Sequence, residues 1–242
     1  SVALQQTMLH LGGAFTRFFK ENKGYPKFKK KHGKQSFSLM KTAFTLGQSS
    51  FFIAKCKTPI KVVFSRLLPS EPSSLTISRT STGKYYVSFV CEYQPVKTSG
   101  HGRIGIDLGI KDFATLSTGK KITNPKPYLN AQRKLKRAQQ ALSRKQKGSN
   151  NRHKARLKVA YLHERVANIR NDFQHKLSRQ LINDNQVIAV EKLMVANMVK
   201  NRKLAKHISD ASWASFTNML NYKAVESQHT TIFYVGTFFP SS

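Results

Sequence analysis

Acidic side chains are scarce in this chain. Eleven Asp plus Glu stand against 42 Lys plus Arg over 242 residues, a formal charge of +31. A compact body with that imbalance repels itself unless a polyanion supplies the missing negative charge, so a nucleic acid is the natural partner. Composition leaves open whether such a protein coats RNA or performs chemistry on a nucleic acid. Cysteine is equally sparse. Cys56 and Cys91 have no second pair to join, which excludes a disulfide framework and a four-cysteine zinc site within this sequence and predicts two reduced, partly buried thiols. No apolar run reaches the roughly 18 residues of a membrane span, and the opening SVALQQTMLHLGGAF lacks the charged-then-apolar order of a signal peptide. An intracellular protein with no membrane partner is expected.

Apolar residues make up 39% of the chain, with 16 Phe and 8 Tyr, enough for one or two cores and too many for a disordered basic tail. Residues 1–34 begin with a helical pattern, in which Leu4, Met8, Leu11, Phe15 and Phe18 or Phe19 recur at spacings of three and four until about Asn22 to Pro26. That pattern opens without a capping signal, so residues upstream are expected. The following GYPKFKKKHGKQSF sets Lys27, Lys29, Lys30 and Lys31 around Tyr25 and Phe28. Cations interleaved with stackable rings suit a phosphate backbone and an unpaired base, although a solvated basic linker has the same composition. In residues 35–98, short β-branched and aromatic runs separated by Gly, Pro and Ser predict a small antiparallel β-barrel or sheet, with its clearest hairpin turning at Thr80 to Gly83.

The polar joint KTSGHGR introduces a second domain over 99–242. Its first strand, Ile104 to Leu108, is apolar except for Asp107. A carboxylate buried in such a strand is costly unless a cation compensates it, and Gly105 and Gly109 leave room beside it for a phosphate or metal-bound water. The same strand-and-acid opening serves actin-like ATPases, so a second acid must decide. It is Glu191, which terminates the apolar run Val187 to Val190. Hydrolysis of a phosphodiester with two Mg²⁺ ions needs carboxylates converging on one spot, which fits both acids as metal ligands and catalytic residues. The absence of a later Gly-rich phosphate loop argues against the ATPase.

Between these strands, Leu129 to Asn183 carries 15 Lys or Arg and only two acids, Glu164 and Asp172. Ile169, Phe173, Leu177 and Leu181 recur every four residues, which predicts a helical hairpin turning near Gly148 to Asn151. One face packs and the other, with Arg133, Lys136, Arg137, Arg144, Lys145, Arg152, Lys154 and Arg156, is expected to contact a nucleic-acid backbone. His153, His163 and His175 have no ligand-like spacing. After Glu191, a helix from about Ser209 buries Trp213, Phe216 and Leu220, with Asp210 as its N-cap, and Ile232 to Val235 read as a further buried strand.

Four ordered motifs, GIDLGIKDFATLSTGKKI, LSRKQKGSNNRHKARLKVAYLHERVANIRNDFQHKLSRQLI, VIAVEKLMVANMVKN and DASWASFTNMLNYKA, resemble the TnpB (OrfB) family encoded by bacterial and archaeal insertion sequences. That resemblance implies an RNA-guided DNA endonuclease related to the type V CRISPR effectors. It implies a helical recognition-lobe remnant, a wedge-like β-barrel, and an α/β RNase H-like (RuvC-type) nuclease domain with a basic helical-hairpin insertion. Guide RNA and target DNA would be the partners and Mg²⁺ the cofactor, with Asp107 and Glu191 matching the first two catalytic acids. The family's four-cysteine zinc ribbon and third catalytic Asp would follow Ser241 and Ser242. The resemblance therefore implies a chain truncated at both ends, and a nucleic-acid-binding remnant without activity is the alternative.

Overall fold

The computed structural model describes residues 2–28, 30, 33, 35–94 and 100–236. Lys29, Lys31, the joint at 95–99 and Ser241 and Ser242 lie outside the described residues. The chain divides into two compact units, Ser1–Gln94 and Pro95–Ser242.

The first unit opens with helix α1 (Val2–Glu21). The chain leaves it through Asn22, whose φ of 51° is the left-handed geometry that commonly ends a helix. Tyr25 then folds back, its ring edge-on to Phe15 at 5.7 Å and Phe18 at 5.4 Å. Strands β1 (Gln35–Met40), β2 (Phe44–Leu46), β3 (Ser50–Ile53), β4 (Ile60–Lys61), β5 (Ser74–Arg79) and β6 (Tyr85–Val90) follow. They form two three-stranded antiparallel sheets, β1-β5-β6 and β2-β3-β4. Among the described residues no ladder joins the two sheets. A tight turn at Lys41–Ala43 carries the chain from one sheet to the other, and both sheets meet in a shared core of Leu39, Ala43, Phe44, Phe51 and Leu75. The β5–β6 hairpin turns through Gly83 at φ 86°, a conformation that glycine adopts without a Cβ penalty. Cys56 is exposed rather than partly buried, and both thiols are free.

The second unit contains β7 (Gly102–Leu108), β8 (Asp112–Leu116), β9 (Lys121–Thr123), α2 (Pro127–Ser143), α3 (Asn150–Asp184), β10 (Asn185–Glu191), α4 (Val195–Met198), α5 (Ala205–Ala211), α6 (Trp213–Ser227) and β11 (Thr231–Val235). Its five-stranded sheet has the order β11-β10-β7-β8-β9. β7, β8 and β9 form an antiparallel meander, whereas β10 and β11 run parallel to β7. Parallel neighbours need long crossovers, which the helices supply. Ile106, Leu108, Ile188 and Val190 pack with Leu177, Leu181 and Ile182 of α3 and with Trp213, Phe216 and Leu220 of α6. Each such side chain contributes about 1.5–3 kcal/mol by leaving water. Phe113 locks this core edge-on to Phe173 at 4.9 Å and Phe216 at 5.1 Å.

Helices α2 and α3 form an antiparallel hairpin closed by a structural use of Arg152. Its backbone N–H donates to the Ser149 hydroxyl at 3.1 Å, and its guanidinium donates to the carbonyls of Leu142 and Lys145, both at 3.0 Å. The Lys145 carbonyl thereby gains a partner, and the Leu142 carbonyl, which also accepts from the Lys145 backbone N–H at 3.2 Å, gains a further one.

Two expectations for the C-terminal region need correction. The helix expected from about Ser209 is broken at Ser212, where φ is 55°, so Asp210 belongs to α5 and does not cap the Trp213 helix. Strand β11 is an edge strand, and Phe233 (55%), Tyr234 (44%) and Val235 (36%) stay exposed rather than buried. No helix among the described residues is long and apolar enough to cross a membrane.

Candidate active site

Period-two alternation in β7 sends Ile106 and Leu108 into the helix-covered core and Asp107 to the opposite face. β10 alternates likewise, burying Ile188 and Val190 and leaving Glu191 half-buried. Val190 pairs with Ile106 in the parallel register, so the next step along both strands sets Glu191 beside Asp107. Thr115 of β8 stands across from Asp107 on its other side. The two acids thus meet at the carboxyl ends of adjacent parallel strands, the edge where open α/β sheets commonly bind ligands.

The carboxyl groups lie within hydrogen-bonding reach of each other. Burial raises the Glu191 pKa above its ordinary value, and the neighbouring Asp107 raises it further through its charge and through that hydrogen bond. Asp107 itself is exposed, so the expectation that it bears a large desolvation cost is corrected: only its strand neighbours are buried. The unfavourable elements are the burial of Glu191 and, after it, the proximity of two like charges.

A Cβ on Gly109 would come within 2.9 Å of the Asp112 carbonyl oxygen, so the missing side chain permits the tight β7–β8 turn. A Cβ on Gly105 would meet Ser117 at an ordinary 3.5 Å.

Paired carboxylates present only hard oxygen donors, the set that Mg²⁺ accepts while keeping several waters. The donor set therefore fits that ion. Among the described residues no cluster of three or more metal-ligating side chains occurs, so Asp107 and Glu191 would hold it without a third protein ligand from those residues.

The cationic positions lie apart from the acids in sequence and separate into distinct settings. Lys27 and Lys30 are exposed after α1, beside Tyr25 at 64% and Phe28 at 100% exposure. Arg133, Lys136, Arg137, Arg144, Lys145, Lys154 and Arg156 are exposed on the hairpin and its turn, whereas Arg152 is half-buried and engaged with the α2 carbonyls.

A buried polar hub escaped the sequence reading. Asp210, only 3% exposed, accepts from the backbone N–H groups of Tyr128 at 2.9 Å and Leu129 at 3.1 Å, and pairs with Arg170 at 3.1 Å. It caps α2 from α5 and ties both helices to α3. One signal was available: α2 begins with Lys126 and Pro127, without a capping side chain on Lys126, so its first N–H groups needed a remote acceptor. Lys223 is a second missed group, buried in α6 with no local sequence cue.

Fold and site define a strongly basic, mixed α/β protein with paired carboxylates at the edge of its central sheet. The family described as "Probable transposase", the OrfB group, matches residues 88–202. Over 249 residues the chain is 42% identical to a Streptomyces pristinaespiralis protein named "Putative RNA-guided DNA endonuclease", covering 100% of this chain and 61% of that one. It is 31% identical over 242 residues to "Putative RNA-guided DNA endonuclease InsQ" of Escherichia coli K12, covering 92% of this chain and 60% of the relative. By these matches the chain is similar to the OrfB group over residues 88–202 and to both relatives over nearly its whole length. It spans about three fifths of the length of these curated relatives. Its fold is similar to that of a chain in a Cas12f1-sgRNA-target DNA complex solved by cryo-EM, with a TM-score of 0.53 and 12% identity over 91% of this chain and 58% of that chain.

Proposed function

We propose that this chain is part of an RNA-guided DNA endonuclease of a transposable element, with Asp107 and Glu191 as two metal-binding carboxylates of a RuvC-type site. The observation that carries the proposal is their convergence at the same level of β7 and β10, where burial and then the neighbouring Asp107 raise the Glu191 pKa. The strand order supports an RNase H-like reading of the domain, because three antiparallel strands are followed by two parallel to the first. The relatives' names support guide RNA and target DNA as partners.

Asp107 and Glu191 would hold Mg²⁺, which when bound supplies water activation and charge stabilisation at the leaving oxygen. The carboxylates fix that position because both sit on paired strands rather than loops. The exposed hairpin cations and Lys27 and Lys30 would hold the nucleic-acid backbone, with Lys29 and Lys31 continuing the same basic stretch. A zinc ribbon and a third acid, implied by the family, would lie outside this sequence.

A second reading, a nucleic-acid-binding protein that does not cut by itself, is favoured by the lack of a third metal-ligating side chain near the acids among the described residues. The test is a DNA-cleavage assay with the RNA that copurifies, with and without Mg²⁺. Asp107→Ala and Glu191→Ala should abolish Mg²⁺-dependent cutting while binding stays within about twofold, since neither acid supplies phosphate affinity. Undiminished cutting by both variants would refute the site. Salt-sensitive binding without cutting by the wild type would select the second reading.

A further inference from the structure

Helices α2, α3 and α5 of the second unit line an open cleft of about 690 Å³ that neither Asp107 nor Glu191 lines. That volume falls within the range of about 300–1,000 Å³ common for small-ligand sites. Its walls include Tyr128 from the first turn of α2, His163 and Arg170 from α3, and Lys206 and Ser209 from α5, above a floor containing Val166.

Two walls are fixed through one carboxylate. Asp210 holds the Tyr128 backbone N–H at 2.9 Å and the Arg170 Nη2 at 3.1 Å, and its carbonyl oxygen accepts from Arg170 Nε at 2.9 Å. A guanidinium has five N–H donors, and these contacts use two of them, leaving donors for a ligand. Tyr128 and Arg170 are both half-buried, so each keeps accessible surface while its attachment is held. Such prior ordering lowers the entropic cost of binding.

The lining constrains the ligand by its chemistry. Tyr128 and Val166 offer surface to a planar, weakly polar group, while Lys206 attracts an anion and Arg170, paired with Asp210, keeps N–H donors for it. The Asp210 carboxylate, which would repel an anion, is neutralised by Arg170 and turned to the α2 N–H groups. A free phosphate would leave the ring and the apolar floor unused, and an uncharged planar ligand would leave the cations unused. A nucleotide uses all of them.

We propose that this cleft seats one unpaired nucleotide of a bound strand, its base against Tyr128 and its phosphate near Arg170 and Lys206. This inference rests on the nucleic-acid-binding part of the proposed function. The nucleotide can come from RNA or DNA, since both share the base and phosphate.

The test measures affinity of the full chain for fluorescent oligonucleotides of roughly 12 nucleotides, within the site sizes known for single-strand binders. Four probes are compared at fixed salt: single-stranded RNA, single-stranded DNA and the two corresponding duplexes. Loss of a base–aromatic stack weakens binding on the order of 5- to 150-fold. Tyr128→Ala should therefore weaken at least one single-stranded probe about tenfold and the duplexes less than about twofold, while Tyr128→Phe retains affinity. The single strand that loses more identifies the sugar type. Lys206→Ala should lower the salt slope by about 0.7, the share of one phosphate on a single strand. If Tyr128→Ala binds every probe as the wild type does, or weakens duplexes equally while keeping a native fold, the nucleotide seat is refuted and general binding stands. A wild type that binds none of the probes overturns both readings.

Discussion

Removing the buried amine of Lys223 should change how stability depends on pH. The residue is 3% exposed, and its ammonium donates to the His175 carbonyl and the Ser178 hydroxyl of α3, each at 2.8 Å. Burial, reinforced by the nearby Arg179 charge and opposed by Glu226, lowers its pKa from 10.5 to about 8. Below pH 8 both folded and unfolded states carry the proton, so the cost of burying the charge is fully present. Between about pH 8 and 10.5 the folded state has released a proton that the unfolded chain retains, and stability rises with pH. The whole window is worth roughly 3 kcal/mol, because one pKa unit corresponds to about 1.4 kcal/mol. The neutral amine still has hydrogens to donate, so its contacts with α3 can persist. Urea denaturation of the wild type and Lys223→Met should be compared from pH 7 to 10.5, read through the fluorescence of Trp213. That is the chain's single Trp, 2% exposed in the same unit, so its signal reports the packing around α6. Titrations common to both proteins cancel in the difference. The wild type should gain roughly 3 kcal/mol on the variant across the window. A difference that stays constant with pH, or moves the other way, would refute the linkage.

Glu191→Gln should raise the thermal midpoint at pH 7 in EDTA: the raised folded pKa means that ionisation of Glu191 opposes folding as pH rises above its ordinary value. Millimolar Mg²⁺ should narrow that difference, and a variant no more stable than wild type in EDTA would contradict the repulsion. Asp210→Asn should cost about 3 kcal/mol by urea denaturation, since it leaves Arg170 facing a neutral partner in a largely buried site; a loss under about 1 kcal/mol would demote the hub. Arg152→Ala should speed amide exchange in the turn at 144–149 and its flanking helix ends, where the guanidinium now binds two carbonyls, and unchanged protection would show those bonds to be dispensable.

The sequence made the central strands legible because each combines an apolar run with one conspicuous acid, and it made the helical hairpin legible through its apolar repeat. Burial was misjudged at two strands: Asp107 lies in an apolar strand yet alternates away from buried Ile106 and Leu108 and is exposed, and Phe233 and Val235 stay exposed on an edge strand. The Asp210 hub was harder to foresee because its partners in α2 and α3 are distant in the chain, and a local capping rule assigned the carboxylate to the wrong helix. Electrostatics nevertheless connects that hub to the candidate site. Glu71, Asp172, Asp210 and Glu226 each meet a Lys or Arg within 3.1 Å. In a chain with nearly four basic groups for every acid, such pairing is easily achieved. Asp107 and Glu191 instead meet each other, and burial together with that closeness pushes the Glu191 pKa upward. A structural role alone would favour a nearby cation over a second carboxylate. An external cation would answer that repulsion, which is why the electrostatic pairing supports a metal-site proposal more strongly than either acid's place in an apolar strand.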